Sequence, residues 1–480
     1  MAQSMYIDGK WVQSASGEQF DVVNPATFDV IDRVPSGNQE DVSNAVAAAH
    51  RAFSAWSKTT ALDRSNLLYR AYEILLERAN EIAPTLTLEQ GKPLNEAAGE
   101  IKFAAEYLRW YAEEARRIYG DTIPAAAPHK RIIVIRQPVG VVAAITPWNF
   151  PAQMVTRKIA PALAAGCTVV LKPSEYTPLT AIALFSVFEE AGFPPGVVNL
   201  VFTNPGDVFG EAILADARVR KITFTGSTRV GKYLMKGAAD QVKRVSMELG
   251  GNAPFVVFDD ADLDAAVEAC VASKFRNAGQ TCVCANRVYV HENVIEEFTE
   301  KLKRRVERMK VGSGLEEGVD IGPVIHAGAL KRIQAQVDDA VEHGARVVLG
   351  GGPVQPAGLK GAFFAPTILT KVSDSMRVCQ EETFGPVAPL IPFASEEQVV
   401  ELANRVDYGL AAYVFTRDLE RALRLGESLE YGIVGLNDPL PAVVQAPFGG
   451  WKSSGVGAEG GYYGMEAFLE YKYLSIGLSR

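Results

Sequence analysis

Histidine and cysteine are both scarce in this chain, five of each in 480 residues. The cysteines (Cys167, Cys270, Cys282, Cys284 and Cys379) are too few and odd in number for a disulfide framework, and none stands at metal-ligand spacing with a histidine. A reducing compartment is expected, and no metal centre. Positive charge is not in excess either. With 48 Lys and Arg against 57 Asp and Glu, the net charge of -9 has the wrong sign for a surface that neutralises phosphates, so nucleic acid is not an expected partner. No run of about 18 uninterrupted apolar residues is present to span a bilayer, and Met1-Ala-Gln-Ser begins no basic segment with an apolar core behind it. The expectation is a cytoplasmic protein with no membrane partner. Internal repeats and low-complexity segments are also missing.

What is present is an ordinary globular composition, 48% hydrophobic and 22% charged, at a length that calls for two or three domains. Tyr6-Ile-Asp-Gly-Lys-Trp-Val12 alternates around Asp8-Gly9, a dipeptide suited to a tight hairpin. Apolar residues then recur at helical spacing over 39–56, 63–79 and 94–119, with Gly120 as the expected stop of the last helix. From Val139 onward, short apolar strands at 141–145, 168–171, 197–201 and 222–224 alternate with helical patterns, and a second alternating series runs over 254–436. Each series predicts a parallel sheet with helices on both faces, which makes the fold α/β with a cleft between two units and ligands at the carboxyl ends of strands. Arg131-Ile-Ile-Val-Ile-Arg136 is an inserted strand. The segment 469–478 has no core of its own and reads either as a strand added to a second subunit's sheet or as an edge strand within one subunit.

The chemistry gathers in Phe275-Arg-Asn-Ala-Gly-Gln-Thr-Cys-Val-Cys-Ala-Asn286. Cys282 follows a helical pattern at 262–274 and precedes an apolar run at 288–290, so it lies at a connection where a thiol is reachable. Arg276, Gln280 and Thr281 give it polar company. Taken alone, such a cysteine reads as a small buried hydrophobe. Upstream, Ser246-Met-Glu-Leu-Gly-Gly-Asn252 sets the Glu248 carboxylate before two glycines. Together, Met247-Glu-Leu-Gly-Gly251 and Gly279-Gln-Thr-Cys282 resemble the NAD(P)-dependent aldehyde dehydrogenases, and the resemblance runs from about Ile7 to the C-terminus. Within that family the Cys282 stretch is most similar to the succinate-semialdehyde dehydrogenases.

The resemblance implies a Rossmann-type cofactor domain (1–122 and 140–250), an α/β catalytic domain (251–453), and a β oligomerisation arm (123–139 with 454–480) that assembles a homodimer or homotetramer. It implies that Cys282 attacks an aldehyde, that hydride leaves to NAD or NADP, and that Glu248 activates the water that hydrolyses the thioester. Asn149, in Pro147-Trp-Asn-Phe-Pro151, and the Cys282 amide are carried over as donors to the oxyanion. Lys158 and Glu459 resemble a second proton relay, although outside the family both read as surface charges. Thr223-Phe-Thr-Gly-Ser-Thr-Arg-Val-Gly231 is similar to the family's phosphate loop, which implicates Gly226, Ser227 and Val230 together with Ile145, Trp148 and Leu249. Lys172, Ser174 and Glu175 match the adenosine-ribose position. The Glu175 carboxylate accepts from free ribose hydroxyls and repels a 2′-phosphate, so NAD is expected ahead of NADP. Glu382 and Phe384 match contacts to the second ribose; without the family they read as a surface acid and a core aromatic.

Arg157 and Arg276 match arginines that hold a substrate carboxylate, which implies succinate semialdehyde or a similar ω-semialdehyde acid. Their plainer reading is a pair of surface ion pairs. A gapless count puts Ala442 where that group has a serine, so glutarate semialdehyde, 2-oxoglutarate semialdehyde or a neutral aldehyde is the alternative, with Phe448 as an apolar wall. Cys284, two residues past Cys282, would share its side of an extended chain, and a reversible disulfide competes with simple packing. Two other functions remain in play. A cysteine hydrolase needs a histidine partner, and the nearest in sequence is His291; an inactive binding relative would be expected to have lost Cys282, Glu248 or Asn149.

Overall fold

The computed structural model describes residues 3–479. Five parallel strands, Val198–Leu200, Thr168–Lys172, Val141–Ile145, Val219–Thr225 and Arg244–Glu248, form the middle of an eight-stranded sheet. They are almost wholly buried and rich in Val, Ile and Ala, as strands covered by helices on both faces must be. The ribbon Met5–Ile7 with Lys10–Val12 closes one edge, and Asp8 and Gly9 turn it at φ of 53° and 75°, the conformation that the dipeptide favours. Gly455–Val456 closes the other edge, antiparallel to Met247 and Glu248. Part of 454–480 therefore packs on this sheet and not on the arm, and it brings Glu459 to the sheet's side.

A seven-stranded sheet carries the second core. Thr367–Thr370, Val387–Phe393, Ala285–His291, Ala253–Val257, Ala411–Phe415 and Ile433–Leu436 run parallel, with Arg346–Leu349 as an antiparallel edge. The inserted strand Lys130–Pro138 lies between Asp121–Ile123 and Leu469–Gly477 in a three-stranded antiparallel sheet. One edge of the last strand is thus satisfied within its own chain.

Capping boxes start two of the N-terminal helices: Asn38 with Asp41 before Gln39–Trp56, and Thr60 with Asp63 before Ala61–Glu77. Two expectations change here. A helix at Ala79–Gln90, with Pro84 inside it, was not foreseen because proline marks a break in a sequence pattern. Leu94–Glu114 ends before Gly120, so Gly120 is not its stop. A Cβ on Gly120 would lie 2.2 Å from the Val134 carbonyl oxygen, so glycine is there to let the inserted strand pass.

Candidate active site

The carboxyl ends of the first sheet's parallel strands align. Ile145 is in register with Lys172 on one side and Phe224 on the other, and Thr225 with Glu248. The second sheet faces this edge through the segment that precedes Ala285–His291. There Asn277, Ala278 and Gly279 all have positive φ (51°, 53° and 73°), and a Cβ on Gly279 would lie 2.2 Å from the Gly385 carbonyl oxygen. Only glycine fits at that approach. The chain then turns, with the Cys284 amide donating to Thr281 O at 3.0 Å, and presents Cys282 to a cavity of about 270 Å³. Phe150, Arg157, Arg276, Ala442 and Phe448 share its lining.

Surrounding protein pushes the Cys282 thiol up to about 12, and the Arg157 charge works against that rise. The resting sulfur is a thiol, so attack requires a base or an approaching positive charge to ionise it. Glu248 ends its strand fully buried, and neither carboxyl oxygen has a hydrogen-bond partner among the described residues. Burial raises its pKa well above the carboxylate range and repulsion from Glu459 adds to this, while Arg157 and Lys158 oppose it. A carboxyl held in that way keeps its proton to higher pH than a free one and must lose it before it can act as a base. The loop that follows packs on the Cys282 backbone: a Cβ on Gly251 would stand 2.4 Å from the Cys282 carbonyl oxygen. Asn149 is also buried, and its Nδ2 donates to Gln280 O at 3.1 Å, which aims the amide at the nucleophile's loop.

The surface readings of three charged residues, Lys158, Glu459 and Arg157, do not survive. Lys158 and Glu459 are buried and paired, and both bond Thr223 Oγ1, at 3.2 and 3.1 Å. Arg157 is buried too, with Nε 2.8 Å from Glu459 Oε2 and its guanidinium 3.7 Å from the Phe448 ring centroid. None of its three nitrogens makes an aligned hydrogen bond, and Arg276 Nε, beside Phe150, is likewise unpartnered. Arg276 is open to an anion in the cavity, whereas Arg157 already has Glu459 as its counter-ion.

Cys284 does not line the cavity. The turn at 281–284 replaces the extended chain that would have put the two thiols on one side, and Cys284 Sγ is directed to the carbonyl oxygens of Lys274 and Ala285 at 3.6 and 3.5 Å. His291 stands at the far end of Ala285–His291, roughly 20 Å along an extended strand, and no histidine lines the cavity, so the cysteine-hydrolase arrangement is absent from it.

Sequence reading missed Lys92 and Glu100. They are buried and paired at 2.5 Å, and Lys92 Nζ also donates to the Asn149 carbonyl oxygen at 2.8 Å. The available signal was a lysine between glycine and proline in Glu89-Gln-Gly-Lys-Pro93, at the junction of two helices.

The strand-end edge suits a dinucleotide. A Cβ on Gly226 would lie 2.5 Å from the Phe224 ring, Ser227 caps the helix Thr228–Ala239 through the Val230 amide, and Leu249 packs on Gly231, where a Cβ would meet it at 2.3 Å. Thr146 Oγ1 and Thr225 Oγ1 are buried at this edge without partners. Lys172 Nζ is 3.3 Å from Glu175 Oε2, beside the buried Ser174. Trp148 stands edge-on to Phe384 at 5.4 Å. Glu382 is no surface acid: partly buried, it accepts the Gly251 amide at 3.0 Å, and burial raises its pKa to about 7. These residues fit a nicotinamide dinucleotide.

Residues 11–474 match the Aldehyde dehydrogenase family. The chain belongs to that family. It is 52% identical over 477 residues (99% of this chain, 97% of the relative) to 3-sulfolactaldehyde dehydrogenase of Pseudomonas putida. It is 52% identical over 475 residues (99% and 98%) to glutarate-semialdehyde dehydrogenase of Pseudomonas aeruginosa. With the NADP(+) succinate-semialdehyde dehydrogenase of Escherichia coli the identity is 52% over 476 residues (99% and 98%). A crystal structure of an NADP-dependent enzyme from E. coli superposes with a TM-score of 0.97 at 51% identity, covering 99% of this chain and 98% of that one. This aldehyde dehydrogenase is therefore an NAD(P)-dependent, aldehyde-oxidising enzyme. Among its described residues no helix is long and apolar enough to cross a membrane.

Proposed function

We propose that the substrate is a short aldehyde with an anionic far end, a succinate-semialdehyde-like ω-semialdehyde acid. The observation that carries this is Arg276, whose Nε has no hydrogen-bond partner among the described residues, in the cavity that holds Cys282, with Arg157, already paired with Glu459, adding positive charge to the same lining. Relatives named for succinate semialdehyde, glutarate semialdehyde and 3-sulfolactaldehyde agree, since each of those aldehydes carries a carboxylate or sulfonate. Ala442 in the lining offers no side-chain hydrogen bond, which favours the longer glutarate semialdehyde as the second reading.

In this reading the Cys282 thiol gives its proton to solvent, Sγ adds to the carbonyl carbon, and the oxyanion meets Asn149 Nδ2 and the Cys282 amide; one such donor is worth about 2.7–4 kcal/mol to the transition state. NAD(P), when bound, supplies the hydride acceptor. Glu248 takes a proton from the water that attacks the thioester, and the hydrogen-bonded group of Lys158, Thr223 and Glu459 acts on it through charge, Lys158 favouring and Glu459 opposing its ionised form. Glu175 favours NAD, whereas Lys172 beside it offers an ammonium to a 2′-phosphate, so NADP is the second cofactor. The cytoplasm is the proposed location. The open edge of Leu469–Gly477 supports assembly into a homodimer or homotetramer.

A steady-state panel tests the substrate claim: succinate, glutarate and 2-oxoglutarate semialdehydes and neutral aliphatic aldehydes, each with NAD and with NADP, on the wild type and Arg276→Ala. Expected are higher kcat/KM for the anionic aldehydes and a selective loss of about 10-fold or more for them in the variant. An equal loss for anionic and neutral aldehydes contradicts the clamp.

A further inference from the structure

Asn149 is held from behind. Its carbonyl oxygen accepts Lys92 Nζ at 2.8 Å and Asn277 Nδ2 at 2.9 Å. Asn277 Oδ1 in turn accepts Gln90 Nε2 at 2.9 Å, and Gln90 Oε1 accepts the Lys92 amide at 3.0 Å, so the lysine's own backbone is fixed. The Lys92 ammonium also lies 3.9 Å from the Phe150 ring centroid. Its counter-ion, Glu100, uses Oε2 for Lys92 and Oε1 for the amides of Ala152 and Gln153, at 2.9 and 3.2 Å. Those amides open the helix Gln153–Ala165, which carries Arg157 and Lys158. One buried ion pair therefore ties together the asparagine's loop, the helix of the cavity arginine and, through Asn277, the segment that leads to Cys282.

A buried lysine is a poor choice for packing alone, because taking its charge out of water carries a penalty that an apolar side chain of similar length would avoid. Its geometry does something an apolar chain cannot. Two donors on the Asn149 carbonyl fix the orientation of that peptide, and with it the direction of the Cα–Cβ bond from which the side-chain amide projects. We propose that Lys92, paired with Glu100, is a positioning residue that holds Asn149 where its Nδ2 meets the oxyanion formed at Cys282. The inference rests on the oxyanion role assigned to Asn149 above.

The test is a double-mutant cycle on the intact enzyme. The first-turnover rate of NADH or NADPH formation is measured for the wild type, Lys92→Met, Asn149→Ala and the double variant, with cofactor affinity and thermal midpoint recorded for each. A displacement of about 1 Å can cost on the order of 10²-fold, so Lys92→Met is expected to slow the first turnover by about that factor with cofactor affinity almost unchanged. In the Asn149→Ala background it should add less than about threefold, because the group it positions is gone. Losses that multiply contradict the inference and leave a general structural role. If Lys92→Met does not fold, Glu100→Gln, which can still accept from the amides at Ala152 and Gln153, must show the same non-additivity with Asn149→Ala. A large Asn149→Ala loss with multiplying partners sinks only the positioning claim; an unaffected Asn149→Ala rate sinks the oxyanion assignment as well.

Discussion

Glu248 and Glu459 share a buried pocket with two cations, and their protonation is driven apart. Burial pushes both up. For Glu459 the adjacent Lys158 and Arg157 charges overcome that and hold it below the usual carboxylate value, while Glu248, without a hydrogen-bond partner, stays well above it. A base must be deprotonated to accept, so hydrolysis should rise with pH through the raised Glu248 pKa. Because the Lys158 charge lowers that pKa, Lys158→Met should displace the rising limb of the kcat–pH profile to higher pH. A displacement to lower pH contradicts the arrangement. At this scale the residues alone said little: Cys282 read as a small buried hydrophobe, and Cys282, Glu248 and Asn149 took roles only through the resemblance of their local motifs to a family. Lys92 and Glu100 took none, since an ion pair ending on a backbone carbonyl at Asn149 leaves no periodic trace. Lys158 and Glu459 are 301 positions apart, and only the fold shows that both are buried.

Among the elements, the helix Pro178–Ala191 has no cap of its own side chains. Glu89, from the end of Ala79–Gln90, supplies one by accepting the amides of Leu179 and Thr180 at 2.7 and 2.8 Å. Glu89→Ala leaves those donors bare and should destabilise the protein by about 1–3 kcal/mol in denaturant titration. Burial also raises the Glu89 pKa from 4.5 to about 8 despite those bonds. A raised carboxyl pKa adds stability that is complete below the unfolded value and lost as pH rises through the folded one. Glu89→Gln should therefore flatten the fall in stability between about pH 4.5 and about pH 8. An unchanged slope contradicts this. The hairpin, the helix Gln39–Trp56 and the alternating strands were readable because period and turn chemistry agree. The helix Ala79–Gln90 was masked by Pro84, and Gly120 was misread because its reason is a contact with a distant strand.

Across the whole molecule, two sheets meet at an edge, each bringing one half of the reaction. The proposed nucleophile comes from the segment before Ala285–His291 and the proposed base from the end of Arg244–Glu248. Outside that edge, Leu469–Gly477 displays Tyr471 and Tyr473 at 61% and 59% exposure, an apolar pair on a strand with one unpaired side. Replacing both with Glu should shift sedimentation towards a smaller particle, and an unchanged particle contradicts assembly through this strand. The most direct measurement of the central claim, a thiol that acylates and a carboxyl that releases, is stopped-flow cofactor reduction by Glu248→Gln. A burst near one equivalent per active site, followed by turnover slowed by about 10²-fold or more, is predicted; burst and turnover lost together would contradict it.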